Sequence, residues 1–409
     1  MLAGRIHSEG LLTLSALTLN QMKRVLVITV MILLLSIPIS GCLSSSIVGF
    51  IESDLVVPEI RYVQNEPPTL PTPLSSSTPT YSYILDWTIS EVFVNCGGVM
   101  NLWINNTGPR DIFVYGYGLK WINATSVYSR DSEAYVHPDE RVALGLLAFQ
   151  GPLLAEPTFY SIDLKIAVRT TSGTSWHDYG TVKAADRMID VSELVPWRNH
   201  TIEKNPKEYY NKVNSRINLT AVNGIVGMIR SEFPGTYNIL QIAQAFEWVY
   251  SNIEYKTDVG GDYWQSTDET LARRTGDCED QAILLTSIIS ALGGNARVNI
   301  ISEHAFPTVF VLKSGIESSI ISYELGSIRS SLSSYYGSDL NVCFLNDSMG
   351  YWLVVDTTGS PYAGGLPTLS SPSNQTSYPG ISFDWSFIET NWLITVDITG
   401  EVSTGGEIF

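Results

Sequence analysis

Three residues, in chain order Cys278, His304 and Asp356, have the types and settings needed to move an acyl group. Residues 275–294 read Thr-Gly-Asp-Cys-Glu-Asp-Gln-Ala-Ile-Leu-Leu-Thr-Ser-Ile-Ile-Ser-Ala-Leu-Gly-Gly. Gly276 permits a tight turn and Asp277 can cap a helix. The run from Glu279 to Leu292 is apolar almost all round, which predicts a buried helix, and Gly293-Gly294 end it. Cys278 then falls in the first turn, where free N–H groups and the positive dipole end favour thiolate over thiol. Glu279 and Asp280 oppose that effect by charge. A cysteine nucleophile needs a base to take its proton, and the base needs a group to orient it. His304 lies in the apolar, β-branched run from Asn299 to Lys313. Asp356 ends the run Tyr351-Trp-Leu-Val-Val-Asp, where Trp352, Val354 and Asp356 share one strand face. Each residue also has a plainer reading: a buried thiol, a structural histidine, a turn former in Asp-Thr-Thr-Gly. Their order and settings together favour the chemistry.

Gly276-Asp277-Cys278-Glu279-Asp280, then His304-Ala305-Phe306, then Trp352-Leu353-Val354-Val355-Asp356 resembles the transglutaminase-like superfamily, within the papain-like cysteine enzymes. Tyr255-Lys256-Thr257-Asp258 and Trp264-Gln265-Ser266-Thr267-Asp268-Glu269-Thr270-Leu271 resemble the family's stretch before the nucleophile. The resemblance covers roughly residues 205–360. It implies an α+β core with the nucleophile helix packed on an antiparallel sheet that bears His and Asp. It assigns nucleophile to Cys278, base to His304 and His orientation to Asp356, and implies acyl transfer through a thioester. Water as acceptor makes a peptidase or amidase; an amine makes a crosslinking enzyme. One oxyanion donor is then the Cys278 backbone N–H. Trp264 or Gln265 is the candidate for a second, unless Trp264 packs against the helix. The His304–Asp356 spacing is longer than the family's pattern. Residues 314–347, rich in Ser, Tyr and Gly, read as an insertion, either a lid or substrate wall or a surface loop. Asp347 is the substitute acid if Asp356 is misaligned.

The elements that must hold these residues follow from periodicity. Ile239, Ile242, Phe246, Val249 and Ile253 mark one face of a helix with Thr236 as its cap, and a further helix is expected over 205–231, broken near Gly224. Upstream, short runs of residues 81–195 such as Tyr83-Ile84-Leu85 and Met100-Asn101-Leu102-Trp103-Ile104 alternate apolar and polar between Gly- and Asn-bearing turns, and 112–122, 140–149, 159–169 and 176–183 are further candidate strands. That pattern predicts an all-β immunoglobulin-like sandwich ahead of the α+β domain at 196–365. His137 and His177 read as loop or surface residues. Residues 64–80 carry five prolines among Ser and Thr and read as a stiff, disordered stalk within 42–80. Residues 366–409 read as a C-terminal extension adding one strand.

Composition narrows the function classes. The 409 residues carry 24 Lys+Arg and 41 Asp+Glu, a net charge of -17, with only 16% charged residues. So acidic a chain is a poor nucleic-acid binder, because phosphate contact needs a basic face. Lys23-Arg24, an apolar run from Val25 and Ile39-Ser40-Gly41-Cys42 are the parts of an export signal with a lipoprotein-type cleavage box. Residues 1–41 thus read as a leader, with Met22 a candidate true start and Cys42 a candidate lipid-bearing residue; a single N-terminal membrane anchor is the alternative. Either places the folded part outside the cell, facing a protein or peptide substrate. Loss of 1–41 removes Arg5, Lys23 and Arg24 but only Glu9, leaving -19. Asn105, Asn123, Asn199, Asn218, Asn346 and Asn374 stand in glycosylation sequons. Cys96 and Cys343 read as buried thiols, with a disulfide between them the alternative. Five scattered histidines and no Cys-x-x-Cys predict no metal site and no cofactor. A non-enzymatic surface module on the same fold is the competing functional reading.

Overall fold

The computed structural model describes residues 55–398 apart from 96, 123, 126, 194–200, 205, 302, 366–380 and 383–391. The expectations for Cys42, the leader, Cys96, Asn123, Asn199 and Asn374 lie outside the described residues.

The N-terminal part is built from β1 (Tyr83–Ile89), β2 (Val92–Phe93), β3 (Gly97–Asn106), β4 (Ile112–Trp121), β5 (Tyr128–Val136), β6 (Arg141–Gln150), β7 (Thr158–Arg169), β8 (Trp176–Ile189) and β9 (Val191–Ser192). One sheet has the order β1-β3-β6 and a second β5-β4-β7-β8. All pairings within these two sheets are antiparallel. Every second residue of β7 (Tyr160, Ile162, Leu164, Ile166) is buried, the period of a strand with one face in a core. These residues meet Met100, Leu102 and Ile104 of β3 and Leu147 and Phe149 of β6 in one cluster shared by the two sheets. A bulge between Leu102 and Trp103 faces Gly145, whose φ of 104° suits only glycine.

Residues 55–80 do not form a free stalk. Val56 N–H donates to Asn295 Oδ1 at 2.8 Å, and Glu59 exchanges backbone bonds with Tyr237 and Ile239 at 2.9 and 3.0 Å. Pro73 O accepts from Trp176 N–H at 2.9 Å. Leu55 packs on Phe310 and Trp352, and Leu70 on Phe113 and Trp176. Proline removes a donor and leaves its carbonyl, so an extended Pro-rich chain can lie along a donor edge, and apolar residues spaced between the prolines anchor it.

The C-terminal part runs β10 (Thr201–Lys204), α1 (Lys207–Asn214), α2 (Asn223–Glu232), α3 (Ile239–Asn252), β11 (Glu254–Tyr255), α4 (Thr267–Arg273), β12 (Thr275–Gly276), α5 (Cys278–Leu292), β13 (Ala296–Ile301), β14 (His304–Lys313), α6 (Ser318–Tyr336), β15 (Val342–Asn346), β16 (Gly350–Val354), β17 (Ile381–Ser382) and β18 (Trp392–Ile398). The expected helix over 205–231 is two helices, α1 and α2, separated by a longer gap than a break at Gly224 alone. The cap of α3 is Asn238, whose side chain accepts from Gln241 N–H at 3.1 Å, rather than Thr236. The main sheet has the order β10-β18-β13-β14-β16-β15-β17, with antiparallel pairing from β18 to β15. The C-terminal strand is therefore interior, between β10 and β13.

Residues 314–347 are neither lid nor loop over their main length. Leu325, Ile328, Leu332 and Tyr336 line one face of α6 and join α3, α5 and β14 in the largest core cluster. The Ser-rich remainder obscures this stripe, and packing of the apolar face outweighs weak helix propensity. The segment is a core layer between β14 and β15, which accounts for the long interval between His304 and Asp356. No helix among the described residues is long and apolar enough to cross a membrane.

Candidate active site

The nucleophile position is fixed from upstream. Ser266 and Glu269 close a reciprocal capping box on α4, and Arg274 ends that helix at φ 57°. The chain then forms β12, with Asp277 as the N-cap of α5 and Cys278 its first residue. Gly276 is crowded: a Cβ there would stand 2.7 Å from Asp280 Cβ and 3.0 Å from its Oδ2. Asp280 is fully buried and holds Gln265, its Oδ1 accepting from Gln265 N–H at 2.6 Å. Gly276→Ala is therefore expected to cost about 1–3 kcal/mol, the usual range for overpacking, and to slow alkylation of Cys278. Thermal unfolding and iodoacetamide kinetics check this; wild-type values in both would contradict it.

His304 opens β14, paired with Ile301 of β13 across a turn in which Glu303 takes φ 61°. Its Nε2 meets Asp356 Oδ2 at 2.6 Å, which leaves Nδ1 as the nitrogen available to a thiol. Asp356, just past β16, is 1% exposed. Its other oxygen, Oδ1, accepts from Thr358 N–H at 3.0 Å, Thr358 Oγ1 at 2.9 Å and Gly359 N–H at 3.0 Å. The turn-former and orienter readings of Asp356 thus both hold, one on each oxygen. Asp347 is engaged elsewhere, 2.6 Å from Arg297 Nη1. One link was not legible in the sequence: Thr357 Oγ1 donates to Gln281 Oε1 at 2.8 Å, tying the aspartate loop to the first turn of α5.

Cys278 is half-buried and its Sγ donates to Glu279 Oε2 at 3.1 Å. Burial first, then the Glu279 charge and this hydrogen bond, push the thiol well above its ordinary range, against a smaller lowering by the Ala305 backbone. Ala305 is the residue after His304, so the start of β14 lies against the thiol. The helix start is expected to favour thiolate; burial and Glu279 instead raise the thiol. Burial pushes Glu279 itself up to about 8. His304 is shifted upward: burial of the ring acts downward, but the charge and hydrogen bond of Asp356 outweigh it.

Neither expected oxyanion side chain is available. Trp264 Nε1 donates to Asp262 Oδ1 at 3.0 Å, and its ring packs with Ala282 and Ile283 of α5. Gln265 Nε2 is held by Asp280 Oδ2 and, at 3.3 Å, by Thr275 O. A carboxylate group also escaped the sequence reading. Ligand atoms of Asp258, Asp262 and Glu279 lie within 4.8 Å of one another, near enough to share a cation. Lys212 Nζ already approaches Asp262 Oδ2 at 2.9 Å.

Among the sequons, Asn346 is exposed and Asn105 half-buried. Asn218 Nδ2, the atom a glycan would take, donates to Asp268 at 2.8 Å. Cys343 is buried in β15.

Residues 231–310 match the family model of the transglutaminase-like superfamily, a span that holds both Cys278 and His304. The chain thus carries a transglutaminase-like core within a mixed α/β architecture. Among solved structures it is similar to a candidate cysteine protease from Cytophaga hutchinsonii, at 11% identity and TM-score 0.20, over 56% of this chain and 75% of that one. It is similar to a candidate ApaA protein from Bordetella pertussis at 12% identity and TM-score 0.20, over 27% of this chain and 94% of that one. A protein from Archaeoglobus fulgidus matches at 14% identity and TM-score 0.19, over 28% of this chain and all of that one. No curated protein shows significant sequence similarity to the chain.

Proposed function

We propose that the protein is a cell-surface cysteine enzyme that transfers acyl groups from amide bonds of extracellular protein or peptide, most directly to water. The observation that carries this reading is the 2.6 Å His304–Asp356 pair on the strand whose next residue, Ala305, meets the Cys278 thiol. His304 Nδ1 takes the thiol proton as Cys278 Sγ attacks the carbonyl carbon. The same proton passes to the departing amine nitrogen as the C–N bond breaks, leaving a thioester. Water then loses a proton to His304 and attacks the thioester carbon, releasing the acid and restoring the thiol. An amine in place of water gives a crosslink. The backbone N–H of Cys278 faces the developing oxyanion.

In the same proposal, the two N-terminal sheets are an immunoglobulin-like sandwich. Cys42 carries the lipid, or the leader stays as a membrane anchor, and exposed sequons such as Asn346 accept glycans where the host supplies them. A second reading, a binding module on the same fold, is favoured by the bond that holds the Cys278 thiol on Glu279. Incubation with a mixed peptide library separates the two. Cleaved or crosslinked products that vanish in Cys278→Ala are expected; products that persist in Cys278→Ala, or none across broad conditions, would defeat the enzyme reading.

A further inference from the structure

A tetrahedral acyl intermediate is best held by two donors aimed at its oxygen, and the Cys278 backbone supplies one. The uncharged side-chain donors around the nucleophile are nearly all committed. Trp264 and Gln265 are held as described above. Gln281 Nε2 donates to Gly276 O at 3.3 Å and Thr357 Oγ1 to Gln281. Thr358 serves Asp356.

Tyr255 differs. It ends β11, which runs parallel to β12 with Tyr255 opposite Gly276, two residues before Cys278. The pairing continues through Lys256 N–H to Gly276 O at 3.2 Å. Unlike the core aromatics, Tyr255 is 53% exposed. Its hydroxyl lies within electrostatic reach of Cys278, Asp277, Glu279 and Asp356 together. The strand register therefore sets Tyr255 beside the segment that leads into Cys278. No hydrogen bond engages this hydroxyl among the described residues. We infer that Tyr255 is a catalytic residue whose hydroxyl donates the second hydrogen bond to the oxyanion formed at the substrate carbonyl. Partial burial and the surrounding negative groups raise the phenol above its ordinary value, so it keeps the proton it must donate. The inference rests on the acyl-transfer reading.

Tyr255→Phe keeps the ring and removes only the hydroxyl. Two reactions of the full chain are compared. Acylation of Cys278 by p-nitrophenyl acetate passes through an oxyanion; alkylation by iodoacetamide, a displacement at a saturated carbon, does not. Tyr255→Phe is expected to slow acylation about 10- to 100-fold, within the range for loss of one oxyanion donor or somewhat below it, and to leave alkylation within about twofold. Acylation at the wild-type rate would overturn the inference, as would an equal fall in both reactions, which would place Tyr255 in thiol activation or packing. Cys278→Ala separates the levels. Acylation that survives in it defeats the underlying reading, as does a wild type that is not acylated. A silent Cys278→Ala beside a full-speed Tyr255→Phe defeats this inference alone.

Discussion

Arg297→Ala is expected to destabilise the C-terminal part by about 3–5 kcal/mol, the scale for removing one partner of a buried ion network. Arg297 lies on β13 and is 1% exposed. Its Nη1 is 2.6 Å from Asp347 Oδ2, its Nε is bonded to Asp397 Oδ1 of β18, and its guanidinium lies 3.5 Å from the Trp352 ring centroid on β16. A single side chain thus ties an interior strand to β18 beside it and to β16 beyond β14. Removing it leaves the Asp347 carboxylate buried beside an emptied cavity, and both effects count against the fold. Urea unfolding followed by tryptophan fluorescence reads the change in midpoint. A loss under about 1 kcal/mol would show that solvent or neighbouring donors replace the guanidinium, as they do at exposed pairs. Arg297→Met with Asp347→Asn should recover part of the loss, since it removes the buried carboxylate charge while keeping the volume.

His304→Ala should lower turnover by about 10²–10⁴-fold, the usual contribution of a positioned general base. Cys278→Ala should abolish it. Asp356→Asn tests the pair from the other side and carries a sign. Asp356 raises the His304 pKa. The imidazole must be neutral to accept the thiol proton, so the acidic limb of kcat/KM should lie above the ordinary histidine value of about 6.5. Asparagine removes the charge, so that limb should move to lower pH even as the maximum falls. The same carboxylate also closes the Thr358–Gly359 turn through Oδ1, which asparagine can still do with its carbonyl. Asp356→Asn is thus a cleaner probe than Asp356→Ala, which would open the loop as well. An acidic limb that stays in place in Asp356→Asn would mean that another group sets it.

The parts of the site written locally were legible. Gly276, Asp277 and the apolar run to Leu292 announce a buried helix with Cys278 at its start. Alternation marks β7, one face of which meets a core, and β4, buried on both faces, is marked by its apolar run between turns. The order of Cys278, His304 and Asp356 was readable, and so was the strand setting of the last two. What escaped depends on partners distant in the chain. Thr357 meets Gln281 across 76 residues and Arg297 meets Asp397 across 100, and no window of sequence carries such pairs. Residues 314–347 look like a decorated loop because Ser and Gly dilute the stripe Leu325, Ile328, Leu332 and Tyr336. Residues 55–80 look like a stalk because the prolines hide Leu55 and Leu70, whose burial needs Phe310, Trp352, Phe113 and Trp176 already in place. The chemistry of Cys278 was misjudged in direction for a related reason. The helix terminus is local and visible, whereas the burial that raises the thiol is a property of the assembled core.

The binding-module and enzyme readings share every element of this fold and differ in whether Cys278 forms a covalent bond to an acyl carbon. The direct test is acid quenching of the protein during reaction with p-nitrophenyl acetate, followed by peptide mass mapping. An acetyl increment is expected on the peptide that carries Cys278, accumulating faster in wild type than in His304→Ala. Absence of that increment, or its appearance on Cys343 instead, would contradict the enzyme reading.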